Sequence, residues 1–240
     1  MKSPLDNELW GIDSPNFEIL YTSGTDFGTY TWYMLIGGSV NFTFTGDTGV
    51  INQDAWSNFG SGTVTIKFYI NDSFGKIGFD EVFIRKDIDM PIITINSPMN
   101  HTAFATSLFI NLTIDEDNLD KVWYSINNTL IDITVNDNDN VTQLIDLFIW
   151  NSLPQGDFNV ELFANDTLGN INNFITLPLS KDTIGPNIDV IRPTEDQKVG
   201  RNAPLFELLI SDENGVNLRW YTIGWGGTPR GFTDLNGTID

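Results

Sequence analysis

One short phrase occurs three times in this chain, about 95 positions apart, and self-similarity at a fixed period means copies of one folding unit. Trp32-Tyr33, Trp123-Tyr124 and Trp220-Tyr221 are each followed by an isoleucine and then a turn of Gly or Asn. The turns are Gly37-Gly38, Asn127-Asn128 and Gly224. Other landmarks keep the period. Asn71-Asp72-Ser73-Phe74-Gly75 returns 94 positions on as Asn165-Asp166-Thr167-Leu168-Gly169, and Lys86-Asp87…Pro91 returns 95 positions on as Lys181-Asp182…Pro186. A period of that length is a whole domain, larger than the unit of a solenoid.

The 240 residues hold two such units and part of a third. We expect a first unit over 1–88 that lacks its first strand, because Ser3-Pro4 aligns with Ser97-Pro98. A complete unit then covers 89–184, and 185–240 is the N-terminal part of a third cut through its middle. No run of 18 apolar residues could span a bilayer, so membrane insertion is not expected of this segment. The net charge of −20 makes nucleic acid an unsuitable partner, since phosphate binding needs a basic face. The absence of cysteine excludes disulfide scaffolding, thiol catalysis and thiolate metal sites. Hydrophobic residues at 40% are enough to build cores without a disulfide.

The middle unit reads as strands throughout. Leu108, Ile110, Leu112 and Ile114 alternate with polar neighbours, and Lys121 to Ile126 forms a strand turned by Asn127-Asn128, residues that tolerate positive φ. Val141 to Trp150 is expected to supply one or two more strands. Phe158, Val160, Leu162 and Ala164 form an inward stripe against outward Asn159, Glu161 and Phe163. The first unit repeats that stripe as Val64, Ile66, Phe68 and Ile70, with Thr65, Lys67 and Tyr69 outward. Phe17 and Phe206 align with Phe109, yet alternation puts Phe109 outside; a one-residue slip or a bulge resolves the conflict. No stretch keeps helical spacing for three turns, and six or seven short strands with regular turn signals predict an all-β fold of tandem antiparallel β-sandwiches.

The linker Lys181-Asp182-Thr183-Ile184-Gly185-Pro186 and the hairpin Trp123-Tyr124-Ser125-Ile126-Asn127 carry a resemblance. So do Gly156-Asp157-Phe158-Asn159-Val160 and Ala164-Asn165-Asp166-Thr167-Leu168-Gly169-Asn170. In that order and spacing they resemble the tandem Ig-like repeats of bacterial and archaeal cell-surface proteins. The resemblance implies extracellular, non-catalytic stalk or adhesion modules of prokaryotic origin. Their partners would be neighbouring repeats in the same chain, and surface glycans or proteins. Two features depart from it: Phe158, where such repeats often carry Tyr, and the loosely matching first linker Arg85-Lys86-Asp87-Ile88-Asp89-Met90-Pro91.

Catalytic signals are poor, and we expect no enzyme. The single histidine, His101, lies in a polar loop and its counterparts in the other units are not histidine. No cofactor is expected apart from calcium. Asp115, Asp117 and Asp120 offer oxygen ligands within one loop, although a polar turn whose side chains cap backbone N–H groups is the plainer explanation. The third unit keeps Asp212, Asn214 and Asn217 there, the first only Asp26, and Asn136-Asp137-Asn138-Asp139-Asn140 is discounted as a loop within a domain. Asn-x-Ser/Thr triplets at Asn41, Asn71, Asn100, Asn111, Asn127, Asn140, Asn165 and Asn236 are twice the roughly four that composition alone predicts. They are glycosylation candidates, with Asn111 and Asn127 expected at outward or turn positions. Phe163, Tyr69 and Trp225 are candidates for stacking on a sugar or on a neighbouring domain.

Two functions follow from this reading. The first is a segment of a long, non-catalytic cell-surface protein whose acidic beads provide reach. The second is a set of accessory carbohydrate-binding modules in a secreted hydrolase.

Overall fold

The computed structural model describes residues 1–20, 30–135 and 140–239. In the first repeat the strands are β1 (Leu9–Trp10), β2 (Asn16–Glu18), β3 (Tyr30–Leu35), β4 (Phe42–Phe44), β5 (Thr48–Val50), β6 (Gly62–Asn71) and β7 (Ile77–Lys86), with helix α1 (Gln53–Ser57) before β6. One sheet runs β1-β7-β6-β3-β4, and β2 pairs with β5 opposite it. The second repeat contains β8 (Ile92–Ser97), β9 (Thr102–Phe104), β10 (Phe109–Asp115), β11 (Leu119–Ile126), β12 (Thr129–Ile133), β13 (Asn140–Leu144), α2 (Leu147–Ser152), β14 (Gly156–Asp166) and β15 (Ile171–Lys181). Its sheets run β12-β11-β14-β15-β9 and β13-β10-β8. Each repeat is thus a two-sheet sandwich, antiparallel except where the edge strands β1 and β9 run parallel to β7 and β15.

Alternation along the long strands explains the sandwich. Val64, Ile66 and Phe68 on β6, and Phe158, Val160, Leu162 and Ala164 on β14, are buried on one face, while the residues between them stay outside. The β11–β12 hairpin closes through Asn127 (φ 49°) and Asn128 (φ 62°), the left-handed pair a two-residue hairpin turn demands. The two cores are separate. One gathers Phe17, Tyr33, Leu35, Ile51, Trp56, Val64, Ile66, Phe68, Val82 and Ile84; the other lies wholly between Ile93 and Leu179.

One expectation changes. The stretch Val141 to Trp150 is not all strand: β13 ends at Leu144, and Leu147–Ser152 is a short helix. Asp146 caps it, its carboxylate accepting from the N–H of Phe148 and Ile149, and Ile149 and Trp150 turn inward. The first repeat has the same feature, with Asn52 accepting from the Ala55 N–H and Trp56 buried. Five or six residues are too few for a helical period to register, and such a helix forms only because its surroundings satisfy both ends. The conflict over Phe109 resolves as alternation requires. Phe17 is 2% exposed and Phe109 60%. The Ile51 N–H donates to Pro15 O as the Ile145 N–H donates to Leu108 O, so Phe17 stands in the place of Ile110. The slip, not the identity, describes the strand.

Beyond the second repeat, β16 (Asn187–Arg192), β17 (Leu205–Ser211) and β20 (Asn236–Thr238) form one small sheet, and β18 (Trp220–Tyr221) pairs with β19 (Arg230–Gly231). None of the described residues after Lys181 is fully buried. Trp220 is 61% exposed, whereas Trp32 and Trp123 are half-buried beside a flanking long strand.

Candidate functional site at the repeat junction

The repeated Trp-Tyr pair divides its labour across the sheet. Tyr33 and Tyr124 point inward, and their hydroxyls accept the backbone N–H of the helix caps Asn52 (2.7 Å) and Asp146 (2.9 Å). Burial raises both phenol pKa values, with the cap N–H partly opposing it, and the ring stays protonated. Trp32 and Trp123 point outward and stack face to face on Tyr69 (5.2 Å, 6°) and Phe163 (5.4 Å, 3°) of the neighbouring strand. The stack is half-buried. Two of the three stacking candidates, Tyr69 and Phe163, therefore already spend one ring face on an internal tryptophan.

The helices are closed from the opposite end by the linker. Lys86 and Lys181, the last residues of β7 and β15, are buried. Lys86 Nζ donates to Trp56 O (2.8 Å) and Phe59 O (2.6 Å), and Lys181 Nζ to Trp150 O (2.9 Å) and Leu153 O (2.8 Å). Each ammonium lies over the ring of the same tryptophan, at 4.8 Å and 5.2 Å. Each ammonium thereby caps the carbonyl end of its helix, adding to the Phe59 and Leu153 N–H groups that reach Trp56 O and Trp150 O, and the residue after each lysine is fixed in place. Burial pushes the Lys86 pKa down.

That next residue is an aspartate in both copies, and it reaches the following repeat. The N–H of Asp87 donates to Trp10 O and that of Asp182 to Phe104 O, anchoring each linker to its own repeat. Asp87 Oδ2 then accepts from Asn118 Nδ2 (2.5 Å), and Asp182 Oδ2 from Asn214 Nδ2 (2.7 Å). Asn118 and Asn214 occupy the same loop of successive units. A charge-assisted hydrogen bond of this kind is stronger than a neutral one.

At the first junction the turn between β14 and β15 adds a third element. Asn170 Nδ2 donates to Asp87 O (3.4 Å) and Asn172 Nδ2 to Pro91 O (3.0 Å). Carboxylate oxygens of Asp87, Glu116 and Asp166 come within 4.8 Å of one another. Asp87 and Glu116 border a cleft of about 350 Å³ that Asp115, Asp117 and Asn118 also line. Burial raises the Glu116 pKa; the Asn118 N–H lowers it, and the charges of Asp87, Asp166 and Asp117 raise it further. Asp166 is buried but well satisfied, accepting from the N–H of Leu168 and Asn170 and from Asn170 Nδ2.

The loop carboxylates singled out in the sequence are placed differently. Asp115 and Asp117 are exposed on the cleft wall, and Asp120 accepts from Asn165 Nδ2 (3.1 Å). Among the described residues the group able to share one ion takes Glu116 from that loop and draws Asp87 and Asp166 from the linker and the turn. Asp26 and positions 136–139 lie outside the described residues. Sequence reasoning missed Asp87, Glu116, Asp166 and Asn118 as a set, although the recurrence of Lys-Asp and Asn-Asp at one period was the available signal.

Among the triplet asparagines, Asn41, Asn100, Asn127, Asn140 and Asn236 are exposed. The other three are half-buried: Asn71 accepts from the Tyr30 N–H, Asn111 joins a ladder with Asn96 and Thr142, and Asn165 Nδ2 donates to Asp120 and to Asp166 O. Asn111 faces outward as expected, yet its amide is engaged. His101 is an exposed turn residue at φ 60° whose N–H donates to Pro178 O. Trp225 stands fully exposed between Gly224 and Gly226, both at positive φ. No helix among the described residues is long and apolar enough to cross a membrane.

No family model matches the chain, and no curated protein matches it in sequence. Solved structures do match. Fibronectin(III)-like modules of Clostridium thermocellum CbhA share 14% identity, over 75% of this chain and 91% of theirs, at a TM-score of 0.33. A structure of a 1.5-MDa bacterial ice-binding adhesin shares 15% over 79% and 67%, at 0.40. A tetra-tandem repeat from the extending region of a large adhesion protein shares 15% over 99% and 61%, at 0.32. The chain's own strand order makes it all-β, with its first two repeats built as two-sheet β-sandwiches.

Proposed function

We propose that this chain is a spacer segment of a large, repeat-built cell-surface protein, extracellular and non-catalytic, whose work is to hold reach and direction. The observation that carries the reading is the duplicated linker device. A buried lysine closes one repeat, and the adjacent aspartate accepts an amide from the next, at Lys86-Asp87 with Asn118 and again at Lys181-Asp182 with Asn214. Two junctions built alike give an array whose beads keep a set angle, where a flexible linker would let them wander. The acidic surface keeps such an array soluble, and the five exposed triplet asparagines are its glycan acceptors. Small-angle scattering on arrays made by concatenating residues 89–184 tests it: the maximum dimension should grow linearly with copy number. Growth as the square root of copy number would mean free joints and remove the spacer role.

Calcium belongs to this reading as an added stiffener, held by Asp87, Glu116 and Asp166. Melting with calcium and with EDTA decides it, an unchanged transition removing the ion from the account.

A second reading rests on one observation, the full exposure of Trp225. An exposed indole in the loop between β18 and β19 is suited to stacking on a sugar ring, as in an accessory carbohydrate-binding module. Polysaccharide pull-down that is lost in Trp225→Ala supports it; absence of binding to any polysaccharide leaves the spacer.

A further inference from the structure

The turn joining β6 to β7 in the first repeat has the same internal hydrogen bonds as the turn joining β14 to β15 in the second. Asp72 Oδ1 accepts from the N–H of Phe74 (2.9 Å) and Lys76 (2.7 Å), and Asp72 O accepts from the Gly75 N–H (3.0 Å). In the second repeat Asp166 Oδ1 accepts from Leu168 (2.9 Å) and Asn170 (2.8 Å), and Asp166 O from the Gly169 N–H (3.2 Å). Gly75 and Gly169 both take positive φ. Position by position, Phe74 stands for Leu168 and Lys76 for Asn170.

What the second turn does is visible. Leu168 packs on the exit end of the first repeat, where a Cβ built on Gly11 would lie 3.8 Å from Leu168 Cδ1, and Asn170 reaches Asp87 O. The first turn carries equivalent groups that no described residue covers. Phe74 is 88% exposed, although its backbone is pinned by the Asp72 carboxylate. A large aromatic fixed at a turn tip in this way costs solvation that an ordinary surface loop avoids. Lys76 adds a charge argument. It presents an ammonium where the second repeat has an amide, at the spot that meets a linker aspartate.

We propose that the Asp72–Lys76 turn is the docking face for the exit end of another Ig-like repeat. That end consists of a small residue after the parallel edge strand, as Gly11 and Ala105 are here, beside a linker aspartate like Asp87 or Asp182. Phe74 covers the small residue, and Lys76 pairs with the aspartate. The identity of the partner rests on the spacer reading, whereas the docking face rests on the two matched turns.

The test fuses residues 89–189 ahead of Met1, because the second repeat closes its own core. Asp189 then runs into Met1 so that Pro4 takes the place of Pro193. Hydrogen exchange is followed over residues 72–77, which occur once in the fusion. Exchange there should slow about tenfold relative to the 240-residue chain, and Phe74→Ser or Lys76→Glu should restore the faster rate. Equal exchange in the two proteins, with Val64 to Phe68 protected in both, overturns the proposal. Leu168→Ser in the 240-residue chain provides the reference. Faster exchange over 166–170 there, with 72–77 indifferent to fusion, overturns the docking face and leaves the spacer standing; no response at 166–170 overturns both.

Discussion

The two junctions of this chain share an anchored linker and one cross-repeat bond, and differ in what the next repeat packs around that bond. At the first, Asp87 accepts from Asn118, receives Asn170 at its carbonyl and lies within 4.8 Å of Glu116 and Asp166. At the second, Asp182 accepts from Asn214, and no turn comparable to Asp166–Asn170 is present among the described residues of the third unit. The common element is therefore an aspartate set by a buried lysine and met by an amide. The carboxylate cluster is a local addition that needs the long hairpin of a complete sandwich. In the proposed spacer, stiffness of the joint would rest on the shared bond, and any response to pH or cations on the addition.

The largest expected effect comes from removing the anchor. Lys181→Met takes the ammonium from Leu153 O and leaves Trp150 O with only the Leu153 N–H, and should destabilise the second repeat by about 2–3 kcal/mol in thermal or denaturant unfolding. Lys86→Met should cost the first repeat a similar amount; a negligible cost in either would break the equivalence of the two linkers. Tyr124→Phe is next. It strands the Asp146 N–H at the helix cap and should cost about 1–2 kcal/mol, with Tyr33→Phe matching it.

Asn118→Ala separates the junctions. It should loosen the first by about 1 kcal/mol, and Asn214→Ala the second by less, because that bond is exposed. Inter-repeat order from residual dipolar couplings reads both. The smallest effect is the most specific. The Glu116 pKa is raised in the folded chain, so its contribution is fully present below the ordinary glutamate range and is lost as pH rises through the raised value. At neutral pH the ionised group is a cost. Glu116→Gln should raise the melting temperature there by roughly 1–3 °C and flatten the acid-side pH dependence, with no comparable effect on the second junction.

The legible parts of this fold are those with a short period. Alternation placed Val64, Ile66, Phe68, Phe158, Val160 and Leu162 in the cores, and it outranked residue identity at Phe109. The helices were not legible, because Leu147-Phe148-Ile149-Trp150 has strand-like composition and is made helical by Asp146, Tyr124 and Lys181 acting from outside it. The acidic loop pointed to Asp115, Asp117 and Asp120 because they are neighbours in sequence. Asp87, Glu116 and Asp166 converge only when a linker, a loop and a hairpin turn of two repeats meet, which no local pattern records.

The central claim is that the linker aspartate holds successive repeats at one angle. The chain has no cysteine, so two can be introduced cleanly, one at Thr65 in the first repeat and one at Glu161 in the second, and spin-labelled for pulsed dipolar distance measurement. A single narrow distance distribution that broadens in Asp87→Ala is the predicted result. A broad distribution that Asp87→Ala leaves unchanged would contradict it.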